Sequence, residues 1–288
     1  MRTFDIVPME PILRLAPFSD PDFIYQVKWD GVRMLMDRSG TEVALWNRRG
    51  RSRTRVYPEL VSSGLRLETT DVLLDGELIS LNASGRPDFQ NILRRDLAKL
   101  PRTDIPVVYV VFDCLRLGGK WMLNEPLEDR QEVAATALKG AEGLTTCDNF
   151  NDGVALFRKM QDMNMEGIVA KQRGSRYYPG KKHFTWQKVK CWRYLDVVPI
   201  AVNLRDGRPS SVTVAKLDDP LHTAVANVAS GLSAETWRAL RELAEIPLTA
   251  TGQTSFPLPP DLVFTIQYLD WTNSGRLRSP SVKDVRAL

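Results

Sequence analysis

The sequence is short of the residues that build metal and redox centres. Its 288 residues include three cysteines and two histidines. Cys114, Cys147 and Cys191 are widely spaced and form no C-x-x-C pair. That argues against a disulfide framework or a cysteine zinc site and for a reducing compartment. His183 and His222 lack metal-ligand spacing. No apolar run approaches the roughly 20 residues that span a bilayer, so no membrane partner is expected. Met1-Arg2-Thr3-Phe4-Asp5 lacks the apolar core of a secretory signal, and a cytoplasmic location is expected. Internal repeats and low-complexity tracts are absent as well. A strong charge of one sign is also missing, the net charge being +4. Its distribution is uneven. Residues 1–193 hold 30 Lys/Arg against 25 Asp/Glu, and residues 194–288 hold 9 against 10. The basic excess falls in the first part, where a polyanionic partner is expected.

What is present reads as strand hairpins mixed with helices. Residues 23–28, 32–37 and 41–46 have strand character and are joined by short turns, the second at Ser39-Gly40. Residues 71–81 form a long predicted strand with Gly76 inside it, and 107–112 a β-branched, buried one. Residues 126–138 open on Pro126 with acids in the first turn and predict a helix. Residues 151–163 carry Val154, Phe157 and Met160 at helical spacing. The pattern predicts an α+β layer fold rather than a parallel doubly wound sheet. Composition shifts near Tyr194. Beyond it come Val-rich runs at 197–202 and 211–215, a helix capped by Ser233, a Pro-rich turn at 257–260 and a strand at 262–268. Short strands with one helix suit a small barrel, and periodicity does not separate an OB-fold from an SH3-like barrel.

The chemistry is concentrated in Lys28-Trp29-Asp30-Gly31-Val32-Arg33, which follows the apolar run Phe23-Ile24-Tyr25-Gln26-Val27. A lysine at a strand end is partly desolvated and held near other cations. Both effects lower its pKa and free its amine as a nucleophile. K-x-D-G alone arises by chance in many proteins. Here further segments follow in order: Asn47-Arg48-Arg49-Gly50, Leu74-Asp75-Gly76-Glu77-Leu78, Val111-Phe112-Asp113, Glu166-Gly167-Ile168-Val169-Ala170-Lys171 and Trp186-Gln187-Lys188-Val189-Lys190. With Lys28 at its head, this series resembles the covalent nucleotidyltransferases: ATP-dependent DNA ligases, RNA ligases and mRNA capping enzymes. It is most similar to the small bacterial ATP-dependent DNA ligases, including the ligase modules of end-joining enzymes. The resemblance covers nearly the whole chain.

The resemblance implies a nucleotidyltransferase (ATP-grasp-like) catalytic domain over 1–193 and a C-terminal OB-fold over 194–288. It implies three steps. Lys28 takes AMP from ATP, AMP passes to the 5′-phosphate of nicked duplex DNA, and the 3′-hydroxyl displaces it. The OB domain would rotate about 191–196 between steps. Gln26 and Val27 would border the base, Gln26 accepting from the adenine amine where related ligases often carry Glu. Phe112 would stack on adenine and Val169 on its other face. Arg33 and Arg48 would meet phosphate or nucleotide, Lys188 and Lys190 the α-phosphate. Glu77 would take the ribose or a divalent ion. Glu166, with Asp30 and Asp75 as further candidates, would bind Mg²⁺ or Mn²⁺. Arg49, Arg51, Arg53 and Arg55 would grip DNA phosphates. Arg278 and Arg286 match the last ligase motif, which orients pyrophosphate. Lys28 lies so near the start that no DNA-binding domain is expected before the core. A monomeric repair or end-joining ligase, nucleoid-associated and working beside other DNA-repair proteins, is the expectation. The alternatives are an RNA ligase, a capping-type guanylyltransferase, or a non-catalytic nucleic-acid-binding relative.

Overall fold

The computed structural model describes residues 6–247 and 254–288; the stretch read for a secretory signal, Met1 to Asp5, lies outside them. The chain divides into two compact units, Met1–Cys191 and Trp192–Leu288.

In the first unit, chain order runs β1 (Glu10–Leu13), β2 (Phe23–Val27), β3 (Val32–Ser39), β4 (Glu42–Asn47), α1 (Pro58–Leu65), β5 (Asp71–Ile79), α2 (Phe89–Asp96), β6 (Val108–Leu117), β7 (Lys120–Trp121), α3 (Leu127–Ala137), β8 (Leu144–Thr146), α4 (Gly153–Asp162), β9 (Gly167–Gln172) and β10 (Lys182–Lys190). One sheet has the order β1-β10-β9-β2. The other has β4-β3-β5-β6-β7, with β8 beside β6. Strand alternation explains how they stack. Leu35 of β3 points inward and packs with Leu73, Leu115, Ile24 and Trp186, which come from both sheets. Its neighbours Met34 and Met36 point outward onto Leu60, Ile92 and Ala134 of the helices α1, α2 and α3. Tyr25, Ile168 and Val189 turn the outer face of the first sheet onto Leu156, Phe157 and Met160 of α4. The layers are therefore helix, sheet, sheet, helices. Each buried Leu, Ile, Met or Phe among these contributes about 1.5–3 kcal/mol.

The predicted strand at 107–112 does not stop at Phe112. The register pairs Asp75 with Asp113 and Gly76 with Val111, so Phe112 is the extra residue of a β-bulge. The strand then continues to Leu117. Just past the bulge, Asp113 accepts two hydrogen bonds from Arg130 of α3, at 2.7 and 2.8 Å, and both side chains are fully buried. Pro126 precedes α3 as its N-cap, and the helix itself begins at Leu127. Asp152 caps α4 by accepting from the Ala155 amide.

The second unit contains β11 (Arg193–Arg205), β12 (Arg208–Lys216), β13 (Ala224–Val228), α5 (Ala234–Leu243), β14 (Ser255–Pro257), β15 (Leu262–Tyr268), β16 (Asp270–Trp271), β17 (Leu277–Arg278) and β18 (Ser281–Ala287). The sheet order is β13-β12-β11-β15-β18, with β14 also on β11. Thirteen-residue β11 is shared: its first part pairs with β15, its later part with β12 and β14. Val197, Val212, Val214, Phe264 and Ile266 fill the interior with Leu240 of α5. Ser233 caps α5 by accepting from the Thr236 amide. This is the OB-fold of the expectation, in an α+β chain. Among the described residues no helix is long and apolar enough to cross a membrane.

Candidate active site

Strand register assembles the site. Gln26 of β2 lies opposite Val169 of β9, and Val169 opposite Lys188 of β10. The three stand in one row across the sheet. The next row on the same face is Ile24, Lys171 and Trp186. Lys28 follows immediately after β2, its amide donating to the Gly167 carbonyl at 2.9 Å. The two motif glycines are required by close approach. A Cβ on Gly31 would sit 2.0 Å from the Leu78 carbonyl oxygen. One on Gly167, which also has φ +143, would sit 2.0 Å from that of Val189.

A cavity of about 630 Å³ opens over these rows, a size that suits a nucleotide. Its wall brings together Gln26, Val27, Lys28, Arg33, Arg48, Glu77, Phe112, Val169 and Lys188, along with Arg49, Arg51 and Arg53. Asp30, Asp75, Arg55, Glu166 and Lys190 are not part of that wall. Glu166 reaches the site through Lys28: its Oε2 accepts from Lys28 Nζ at 2.5 Å, with the side chains 8% and 21% exposed. Lys190 Nζ lies 3.9 Å from the other carboxylate oxygen. Arg278 and Arg286 belong to the second unit, where Arg286 pairs with Asp196 at 2.5 Å.

The charges are not arranged as a uniformly cationic pocket. Burial pushes the Glu77 carboxyl up to about 8 against the pull of Lys28 and Arg33. A carboxyl held up in this way can share a hydrogen bond with a hydroxyl partner. Burial lowers the Lys188 amine, and the nearby Lys28 adds to this. The Arg33 fork is committed to fully buried Asp75, through bonds of 2.7 and 2.6 Å, and also donates to the Met9 carbonyl. Burial alone would lower the Arg33 guanidinium; Asp75 more than reverses this and holds it above the ordinary range. Asp75 also accepts from the Tyr177 hydroxyl at 2.7 Å. Asp75 is thus spent within the protein.

Among the described residues, no group of three or more His, Cys, Asp or Glu side chains is placed to hold a metal. Asp30, Glu77 and Glu166 form no closed cage. Mg²⁺ and Mn²⁺ do not need one, since they keep waters and bridge to phosphates through one or two carboxylates. Glu166, a hard-oxygen donor beside Lys28, fits that requirement.

The arginine run is a built loop. Asn47 Oδ1 accepts from the amides of Arg49 and Arg51, both at 3.0 Å, and so closes the turn. Arg48 pairs with Glu10 at 3.4 Å. Arg53 is half-buried and pairs with the buried Asp96 at 3.2 Å. Arg49, Arg51 and Arg55 are exposed.

Lys171 received no role from its motif. It is 2% exposed, with its ammonium 4.2 Å from the Phe112 ring centroid and 4.1 Å from that of Trp186. Arg33 also sits over Phe112, at 4.7 Å. The ring expected to stack on adenine therefore already carries cations. The signal was available: Lys171 is two residues from Val169 and shares its face. Burial pushes the Lys171 amine down to about 8 from 10.5, while Asp113 pulls the other way. Folding thus carries a penalty that is full below pH 8 and relieved as pH rises to about 10.5. Lys171→Met removes the charge and keeps the length. Across that window the wild type should gain stability relative to this variant, by up to about 3 kcal/mol in denaturant unfolding. A difference flat with pH would refute the desolvation of this amine.

Comparison with known proteins agrees with the geometry. The family described as ATP dependent DNA ligase domain matches residues 10–190, and the ATP dependent DNA ligase C terminal region matches 205–287. A multifunctional non-homologous end joining DNA repair protein, LigD of Mycobacterium tuberculosis, is 31% identical over 306 aligned positions, covering 99% of this chain. The chain spans 39% of that protein's length. The crystal structure of the ligase domain of M. tuberculosis LigD superposes with a TM-score of 0.61 at 27% identity, covering 99% of this chain and 96% of that one. A Lig E DNA ligase, studied for DNA binding with a minimal scaffold, shares the fold at a TM-score of 0.69 and 16% identity, covering 98% and 100%. With both halves matched and Lys28 at the mouth of a nucleotide-sized cavity, this chain belongs to the ATP-dependent DNA ligase family.

Proposed function

We propose that this chain seals 5′-phosphate/3′-hydroxyl nicks in duplex DNA through a lysyl-AMP intermediate, in DNA repair of the end-joining kind. The observation that carries this reading is the juxtaposition of Lys28, paired with Glu166, and the Gln26–Val169–Lys188 row at one cavity. Lys28 Nζ attacks the α-phosphorus of ATP and pyrophosphate leaves. Glu166 holds the Lys28 amine in place. Lys188 offsets charge on the α-phosphate as it becomes pentavalent. The carboxyl of Glu77 binds a ribose hydroxyl, and Val169 packs on the base. Arg48 meets the nucleotide. A Mg²⁺ or Mn²⁺ ion on Glu166 would draw negative charge from the phosphates when bound. Residues 1–193 carry the adenylation chemistry, and residues 194–288 form the OB-fold. The location that goes with this work is the nucleoid.

The test is sealing of a nicked DNA duplex with ATP and Mg²⁺, run beside nicked RNA, GTP and excess chelator. Sealing of RNA alone, or label from GTP alone, would overturn the reading, as would full sealing in chelator. The DNA track is tested in the same assay. Arg49 and Arg51 are exposed on the loop after β4 and Arg55 on the 3-10 turn that follows, so replacing all three by Ala should lower Lys28 adenylation less than DNA binding. Affinity for nicked DNA should weaken. Its log–log salt slope should flatten by about one for each phosphate that is no longer neutralised. A wild-type salt slope would make this loop only a solvated cationic surface.

A further inference from the structure

Gln26 borders the cavity and is 2% exposed. A buried amide has a donor end and an acceptor end, and the end facing the cavity decides which base edge is accepted. Hydrogen bonds on the protein side decide that direction. The Phe112 carbonyl, on the β6 bulge, can only accept, and Gln131 Nε2 donates to it at 3.3 Å. Gln131 Oε1 therefore faces away and accepts from Asn149 Nδ2 at 2.8 Å. Asn149 Oδ1 in turn accepts from Gln26 Nε2 at 2.8 Å. Reversing any one amide would set two donors or two acceptors face to face; Asn149 is exposed, so the cost of such a mismatch falls on the buried Gln26. The remaining end is Gln26 Oε1, an acceptor.

We propose that Asn149 and Gln131 are the positioning residues that set base selectivity, by locking the Gln26 amide with its oxygen toward the nucleotide. The proposal rests on the ligase reading above. It makes selectivity a property of three amides and one bulged carbonyl. An acceptor at that point favours a purine with an exocyclic amine at the 6-position and opposes a 6-oxo purine. Without the relay, Gln26 can turn and offer its NH₂ to a 6-oxo group.

The experiment measures lysyl-nucleotide formation on the full chain with labelled ATP and with inosine triphosphate, which differs from ATP at that base edge. KM and kcat are obtained separately. Asn149→Leu and Gln131→Leu should each lower the ATP-to-ITP ratio of kcat/KM at least tenfold, mainly through KM. The absolute efficiency with ITP should rise while that with ATP falls. Asn149→Asp keeps an acceptor for Gln26 Nε2 and should hold the ratio within about threefold of wild type. Parallel losses with both nucleotides, or an unchanged ratio in both leucine variants, would overturn the relay. If Asn149→Leu does not fold, Gln131→Leu carries the same test. A wild-type chain that forms no adduct with either nucleotide would overturn the ligase reading and the relay with it.

Discussion

Lys28→Ala is expected to abolish covalent transfer of AMP to the protein, on the order of a 10⁴-fold loss or more, the range seen when a nucleophile is deleted. The side chain stands at the end of β2, half-buried, with Nζ 2.5 Å from Glu166 Oε2. The cavity wall also supplies Lys188, but its place in the row beside Val169 faces the proposed α-phosphate and does not replace an amine at the Lys28 position. Sealing of an ordinary nick with ATP should vanish in parallel. A nick supplied already adenylated bypasses the first two steps, so the variant should still join it. That contrast separates lost chemistry from lost folding. Label on the variant at the wild-type level would assign the nucleophile elsewhere.

Much of this site was legible because its residues lie in short motifs at strand ends. Period-2 alternation located Lys188 and Lys190 on one face, and β10 carries both. The strands at 23–28, 32–37 and 262–268 and the helix after Ser233 were readable for the same reason: apolar periodicity and a cap. What was hidden depends on pairing across long sequence separation. Arg33 reads as a phosphate ligand until Asp75, 42 positions on, takes its fork. Arg53 reads as part of a grip until Asp96 claims it. The bulge at Phe112 depends on the register against β5, which local propensity does not contain. The helices α1 and α2 are eight residues each, shorter than the window of about 11 residues over which helical periodicity is read. The amide chain from Gln131 to Gln26 joins α3, the loop after β8 and β2, and is invisible to any spacing rule.

Glu166→Gln should slow adenylation about a hundredfold while leaving the KM for ATP unchanged or lower. The substitution preserves shape and keeps one oxygen that can accept from Lys28. It removes a negative charge that faces Lys28 at 2.5 Å and Lys190 at 3.9 Å. The cavity becomes more positive, which favours a polyphosphate in the ground state. The losses fall on the reacting geometry. The amine loses its carboxylate partner and keeps only the amide oxygen of an uncharged side chain, a weaker hold. The hard anionic oxygen that fits a divalent ion is gone. An effect concentrated in kcat is the mark of interactions made in the transition state. Glu166→Asp keeps the charge but shortens the reach by one methylene, and its rate should lie between those of wild type and Glu166→Gln. The divalent-ion concentration giving half-maximal rate should rise in Glu166→Gln, because the proposed ligand is removed. Near-normal kcat with an unmoved metal titration would remove Glu166 from both roles and leave its bond to Lys28 as a structural pairing alone.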